Sequence, residues 1–372
     1  MSELLLFVIV FFPIIVAIVK SIASPLRWSD TLPTSSSAAL RGYMALMILW
    51  GHDTGGYYFI DGTLSYPYPW VISALRLGLQ CTGFLFVGIF FALSAYGCRQ
   101  KWVQDQNYIK SFLPRRIINV WMPFVLIGIS LGAVKNGIWG GTYSQLFLNC
   151  FDFNVWPVHW YIIFALLFYV AFYCVYSSVT QHQDVIMCIV ILCYLSYCYI
   201  AKKNEVYYVS QIGLLIGILY SRYEKMINLK KNKFLSWWAI LFVVFLVIYN
   251  YPFLIWPKGI YISILNDGPI YRMISVGLIC ICAFFMLHFV DFSKSRWLRF
   301  LGTISMEIYL IHSFCMMLTD AFRIQMEPYL SYSVAYGIKT ILTICFTIIL
   351  ALVYQRIIKK IKRYMLGNAT IR

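Results

Sequence analysis

Two basic residues stand eleven positions apart in one apolar stretch, Arg41-Gly-Tyr-Met-Ala-Leu-Met-Ile-Leu-Trp-Gly-His52. On a helix, eleven residues make three turns to within about 20°, with about 16 Å of rise, so both side chains share a face. Imidazole titrates near neutral pH and serves as a general base or as a nucleophile. Guanidinium forks onto carboxylate or phosphate oxygens. A cation at the mouth of a helix and an imidazole deeper on the same face suit a ligand lying along that helix. A snorkelling arginine and a capped histidine would leave the same trace. A second group is the basic stretch Arg99-Gln-Lys101 and Lys110-Ser-Phe-Leu-Pro-Arg115-Arg116. Here Arg115 and Arg116 follow Pro114 at the expected start of a helix, placed to meet phosphate oxygens. A third is Gly302-Thr-Ile-Ser305-Met-Glu307-Ile-Tyr309-Leu-Ile-His312. Glu307 is the one acidic residue expected well inside an apolar span, at a depth that suits pairing with Arg41. Tyr309 and His312 share a helix face, whereas Glu307 and His312 do not.

The elements that carry these residues follow from composition. Of 372 residues, 61% are hydrophobic and only 12% charged, where soluble domains carry about 25% charged residues. This excludes a disordered chain, an ordinary soluble enzyme and a small disulfide scaffold, and leaves an all-α polytopic membrane protein. The net charge of +16 points first to nucleic acid. The basic residues, however, sit in short loops between apolar spans, where membrane topology puts them. Eleven spans are expected, near 4–19, 42–56, 78–97, 117–133, 159–177, 185–200, 207–220, 236–252, 271–290, 302–319 and 336–355. With the N-terminus outside and the C-terminus cytoplasmic, roughly three quarters of the 30 lysines and arginines fall inside. The first span lacks a basic n-region and a cleavage site, and is expected to be a retained helix. The expected organisation is an extra helix and linker at 1–37, a membrane domain at 38–360 and a basic tail at 361–372. The outer loops are rich in aromatics (Tyr57, Tyr58, Tyr66, Tyr68, Trp70, Trp139, Tyr143, Trp156), as an interfacial belt or a sugar-stacking surface would be. The eleven cysteines form no CxxC pair, and are expected to pack helices rather than bind metal.

Taken together and in order, these segments resemble the acyltransferase 3 family of membrane O-acyltransferases. Its Arg–ten residues–His signature is matched by Arg41 and His52. Its Phe-Phe-x-Leu-Ser-Gly-type segment is similar to Phe90-Phe91-Ala-Leu-Ser94-Ala-Tyr-Gly97. Its Arg-Arg-x-x-x-x-x-Pro segment is matched by Arg115, Arg116 and Pro123, and its late Gly-x-x-Ser-x-x-Ile-Tyr-Leu-x-His segment by Gly302, Ser305, Ile308, Tyr309, Leu310 and His312. One segment departs. Many members that modify peptidoglycan or O-antigen carry Trp-Ser-Leu-x-x-Glu-Glu-Gln-Phe-Tyr. Here Trp160–Tyr169 has Ala165, Leu166 and Leu167 in place of the two carboxylates and the glutamine.

The resemblance implies an acyl-CoA donor, usually acetyl-CoA, arriving from the cytoplasm of a bacterial inner membrane. It implies an acceptor hydroxyl on an extracytoplasmic or lipid-linked glycan, and no metal. On that reading Lys110, Arg115, Arg116 and Arg41 bind the donor. His52 acts as general base or acyl carrier, with Glu307 beside it. Asp53, Ser94, Trp160, Tyr309 and His312 are candidate contacts of the acceptor. The competing reading is a secondary transporter or flippase for a lipid-linked saccharide, with Arg41, His52 and Glu307 lining the path. Such proteins often show two-half symmetry, and no convincing internal repeat is visible.

Overall fold

The computed structural model describes residues 14–20, 29–60, 82–139, 159–230, 268–330 and 332–366, and positions 12, 237, 240 and 241. Among these residues every regular element is helical. In chain order they are α1 (Thr34–Ile60), α2 (Thr82–Gln104), α3 (Tyr108–Trp139), α4 (His159–Ser178), α5 (Gln183–Ile200) and α6 (Ile212–Leu229). Then follow α7 (Pro269–Phe289), α8 (Arg296–Thr303), α9 (Ser305–Met326) and α10 (Tyr332–Leu366). Six of them, α2, α3, α4, α5, α7 and α10, are long and apolar enough to cross a membrane; α8 and α9, bent by 78° at their junction, make seven if taken as one span. The chain is therefore an all-α membrane protein.

Several expected boundaries shift. The spans foreseen at 42–56 and 207–220 form α1 and α6, which are not among the six. Asp53–Ile60, expected in a loop, continues α1. The span foreseen at 302–319 is broken at Ile304. Helix α3 begins at Tyr108, so Pro114 lies inside it rather than ahead of it. Pro114 has no N–H to give to the Lys110 carbonyl one turn back, yet the helix continues through it. The spans expected at 4–19 and 236–252, and the aromatic loops across 61–81 and 140–158, lie largely or wholly outside the described residues.

Helix α1 is the axis of the bundle. It packs on α2, α8 and α9, and residues 42–51 are buried on every side, as a helix apolar all round requires. The fit to the α8–α9 junction depends on two glycines. A Cβ on Gly42 would sit 2.2 Å from the Gly302 nitrogen, and one on Gly302 would sit 2.5 Å from the Ala38 oxygen. Contact between α2 and α6 works in the same way: a Cβ on Gly213 would meet the Gly88 oxygen at 2.1 Å, and one on Gly217 the Ala92 oxygen at 2.2 Å. This is the small-residue spacing by which membrane helices approach without a hydrophobic drive.

Polar ties then fix the ends. Arg99, expected as a free loop cation, donates to both oxygens of Asp184 at 2.7 Å, and to the Ser221 carbonyl at 2.8 Å. Tyr176 adds its hydroxyl to Asp184. On α6, buried Glu224 accepts from Tyr96 at 2.8 Å and Gln100 at 2.6 Å. A buried ion pair, Lys339 Nζ to Asp53 Oδ1 at 2.8 Å, joins α1 to α10.

Candidate functional site

His52 and His312 meet, although 260 positions separate them. Nδ1 of His52 lies 2.9 Å from Nε2 of His312, and the rings stack at 5.1 Å. Nδ1 of His312 lies 2.7 Å from the Tyr309 carbonyl oxygen, one turn back on α9. That oxygen only accepts, so His312 Nδ1 carries the proton and, in the neutral ring, Nε2 accepts. Nδ1–H of His52 therefore donates to it, which leaves the lone pair of His52 on Nε2. His312 is wholly buried, while His52 is exposed. A Cβ on Gly83, at the start of α2, would lie 3.6 Å from His52 Nε2; glycine leaves that space open.

Arg41 is exposed at the other end of the sealed 42–51 stretch, so the two basic residues flank a wholly buried length of α1. Arg41 lies within electrostatic range of Tyr161, Tyr169 and Arg116. Arg116 donates to the Tyr108 hydroxyl at 3.0 Å, and its guanidinium covers the rings of Phe112 at 5.5 Å and Tyr169 at 5.1 Å. Ser94 and Tyr169 share a hydroxyl bond of 2.8 Å. From this cationic end a line of rings runs to the imidazoles. Tyr161 lies 4.9 Å from Tyr309, and Tyr309 lies 5.9 Å from His312. Phe90 and Phe91 back Tyr161 at 6.1 and 5.0 Å.

The remaining expected residues fall elsewhere. Glu307 is buried, but its charged neighbours are Lys362 and Lys359 of α10, not Arg41. It is five residues from His312, so it points about 140° away when His312 faces α1. Asp53 turns from the open side of α1. Its carboxylate takes Lys339 and, at 2.6 Å, the Thr340 hydroxyl, while its carbonyl accepts from Tyr336. Trp160 is half-buried against the core. Lys110 and Arg115 are exposed on α3, while Arg116 turns inward. The sequence reading missed Tyr161, Tyr108 and Lys339. Tyr161 stands next to the singled-out Trp160, about 100° round the helix, and only the packing of α4 decides which ring faces Arg41. Among the described residues no group of three or more His, Cys, Asp or Glu is placed to hold a metal ion.

The fold and this arrangement define a helical membrane protein with an accessible imidazole at one end of a buried helix and clustered guanidinium groups at the other. Comparison with family models identifies the class. The acyltransferase domain of the acyltransferase 3 family matches residues 35–352, and the chain belongs to that family. Its activity is therefore acyl transfer, and the transporter or flippase reading is not favoured. Comparisons with curated proteins and with solved structures find no match.

Proposed function

We propose that the chain is an O-acyltransferase of a cell membrane that moves an acyl group, most simply acetyl, from cytoplasmic acyl-CoA to a hydroxyl of an extracytoplasmic or lipid-linked glycan. The observation that carries the reading is the hydrogen-bond chain Tyr309 carbonyl–His312–His52, which leaves the lone pair of an exposed histidine on Nε2. In this reading His52 Nε2 takes the proton of the acceptor hydroxyl as its oxygen attacks the thioester carbonyl carbon. The imidazolium that forms keeps its Nδ1–H on His312, which holds the ring in place and shares the charge, as an orienting group does in other base pairs. The C–S bond breaks, and the departing thiolate recovers the proton from Nε2. Overall, an alcohol and a thioester give an ester and a thiol.

Arg41 and Arg116 hold phosphate oxygens of the donor, and the rings of Tyr161 and Tyr309 line the way to His52. Arg116, braced by Tyr108, Phe112 and Tyr169, is pre-organised for such a role. Exposed Lys110 and Arg115 add long-range attraction at the mouth. Residues 38–360 form the transferase unit, with an additional N-terminal helix before it and a basic tail after it.

Calorimetry of acetyl-CoA against the purified protein in detergent, with free CoA for comparison, tests the donor half. Saturable binding lost in Arg116→Ala supports it; no binding by folded protein refutes it. His52→Ala is expected to keep donor binding and abolish transfer.

A further inference from the structure

One cavity lies apart from the donor path. It has a volume of about 730 Å³ at the corner where the α5–α6 connection meets the starts of α2 and α7, within the usual range of small-molecule sites. Phe84, Tyr199 and Tyr208 give it aromatic surface, and Lys202, Lys203 and Arg272 give it three cations. Among the described lining residues the one carboxylate, Glu205, pairs with Arg272, which also covers the Phe84 ring at 5.8 Å. Lys202 and Lys203 are exposed and outnumber the acid.

The backbone gives these lysines further meaning. Helix α5 ends with Lys203 N–H on the Cys198 carbonyl at 2.9 Å and Lys202 N–H on the Tyr199 carbonyl at 3.1 Å. Lys202 sits at φ 50°. That is the left-handed closing position that helices usually give to glycine, so Lys202 stands there against local preference. The charge count also assigns this end of the bundle to the outside, the face poor in lysine and arginine.

One residue of α2 links the cavity lining to the imidazoles. Phe84 lines the cavity, the preceding Gly83 faces His52 Nε2, and Ser210 anchors the Phe84 carbonyl at 3.0 Å. We infer that this cavity holds an anionic group of the glycan acceptor, a sugar carboxylate or sugar phosphate, and leads the acceptor past Gly83 to His52. The cations meet the oxyanion, and the tyrosines offer flat faces to the sugar. The inference rests on the acyl-transfer reading for what happens at His52; the binding itself does not.

The test uses the full chain in phospholipid nanodiscs, titrated with hexagalacturonate, glucose 1-phosphate and neutral maltohexaose, and separately with acetyl-CoA. The variant is Lys202→Gly/Lys203→Ser. Glycine suits the left-handed position, so its melting temperature holds or rises. At least one acidic probe is expected to bind about tenfold more tightly than maltohexaose, and the variant to lose about tenfold for that probe while acetyl-CoA binds unchanged. Which acid binds tells carboxylate from phosphate. Acidic probes no tighter than maltohexaose, or an unaffected variant, overturn the inference. Failure of the wild type to bind acetyl-CoA overturns the acyl-transfer reading instead, and leaves the acidic arm to judge the cavity.

Discussion

Replacing His312 is the sharpest test of the imidazole pair, because its ring touches neither donor nor acceptor in the proposed mechanism. It acts by accepting Nδ1–H of His52 across 2.9 Å. When His52 takes the acceptor's proton, that bond becomes a hydrogen bond to a charged ring, of a kind contributing about 1.5–3 kcal/mol. Its loss lowers the rate by about 10- to 150-fold. His312→Phe removes the acceptor and nearly conserves ring volume at a wholly buried site, so the α1–α9 contact survives. His312→Gln retains an acceptor oxygen and should recover part of the rate. The assay is transfer of labelled acetyl from acetyl-CoA to a cell-envelope glycan fraction, with kcat and KM for the donor resolved separately. The expected pattern is a fall in kcat with unchanged donor KM for Phe, and a smaller fall for Gln. Wild-type kcat in His312→Phe, or a loss carried wholly by KM, would refute the orienting role.

Other perturbations bear on the frame around that pair. Lys339→Met strands the buried Asp53 carboxylate and is expected to cost about 3–5 kcal/mol; the double variant Asp53→Asn/Lys339→Met should recover much of the lost melting temperature in detergent, and failure to recover argues against the pair as the cause. Gly42→Ala drives a methyl into the Gly302 backbone and is expected to destabilise by about 1–3 kcal/mol and to lower kcat. Gly97→Ala, whose Cβ would meet nothing within 4 Å, serves as the neutral control in the same thermal scan. Arg41→Ala should raise donor KM with little change in kcat at saturation, whereas Arg115→Ala, on the exposed face of α3 and away from the Tyr161–Tyr169–Arg116 group beside Arg41, should act more weakly; equal effects would contradict that grouping as the donor site.

Much of the site was legible because it rests on local periodicity. Eleven-residue spacing alone put Arg41 and His52 on one face, and three-residue spacing put Tyr309 beside His312. What stayed hidden were the contacts made by chain crossings. The meeting of His52 with His312 depends on α1 approaching the α8–α9 junction through Gly42 and Gly302, and nothing within either segment announces that approach. Glu307 was placed at a credible depth but given the wrong partner. The expected unbroken helix over 302–319 hides the bend at Ile304, and the carboxylate lies near α10 lysines instead. Asp53 looked like a candidate contact of the acceptor, and nothing in the sequence singled out Lys339. Only the packing of α1 against α10 shows that each neutralises the other. The fold class was plain from composition and pattern, since a chain so poor in charge must satisfy its backbone within helices or a closed barrel, and the ten-residue alternation of barrel strands is missing from its apolar segments.

The burial pattern of α1 supplies a physical reason for the spacing of Arg41 and His52. A transferase that receives a thioester on one side of a membrane and serves an acceptor on the other needs two openings and a seal between them. Ten consecutive buried residues separate the exposed arginine from the exposed histidine, so the helix that holds both groups also closes the gap between them. Because they ride on one stretch of helix, their separation of about 16 Å is held by backbone hydrogen bonds rather than by loop conformation. The glycine contact at Gly42 presses that stretch onto α8, next to the bend from which α9 brings His312 to His52. In the proposed mechanism, binding, sealing and orientation of the base are thus properties of one helix crossing, and a change that opens the crossing should weaken all three together.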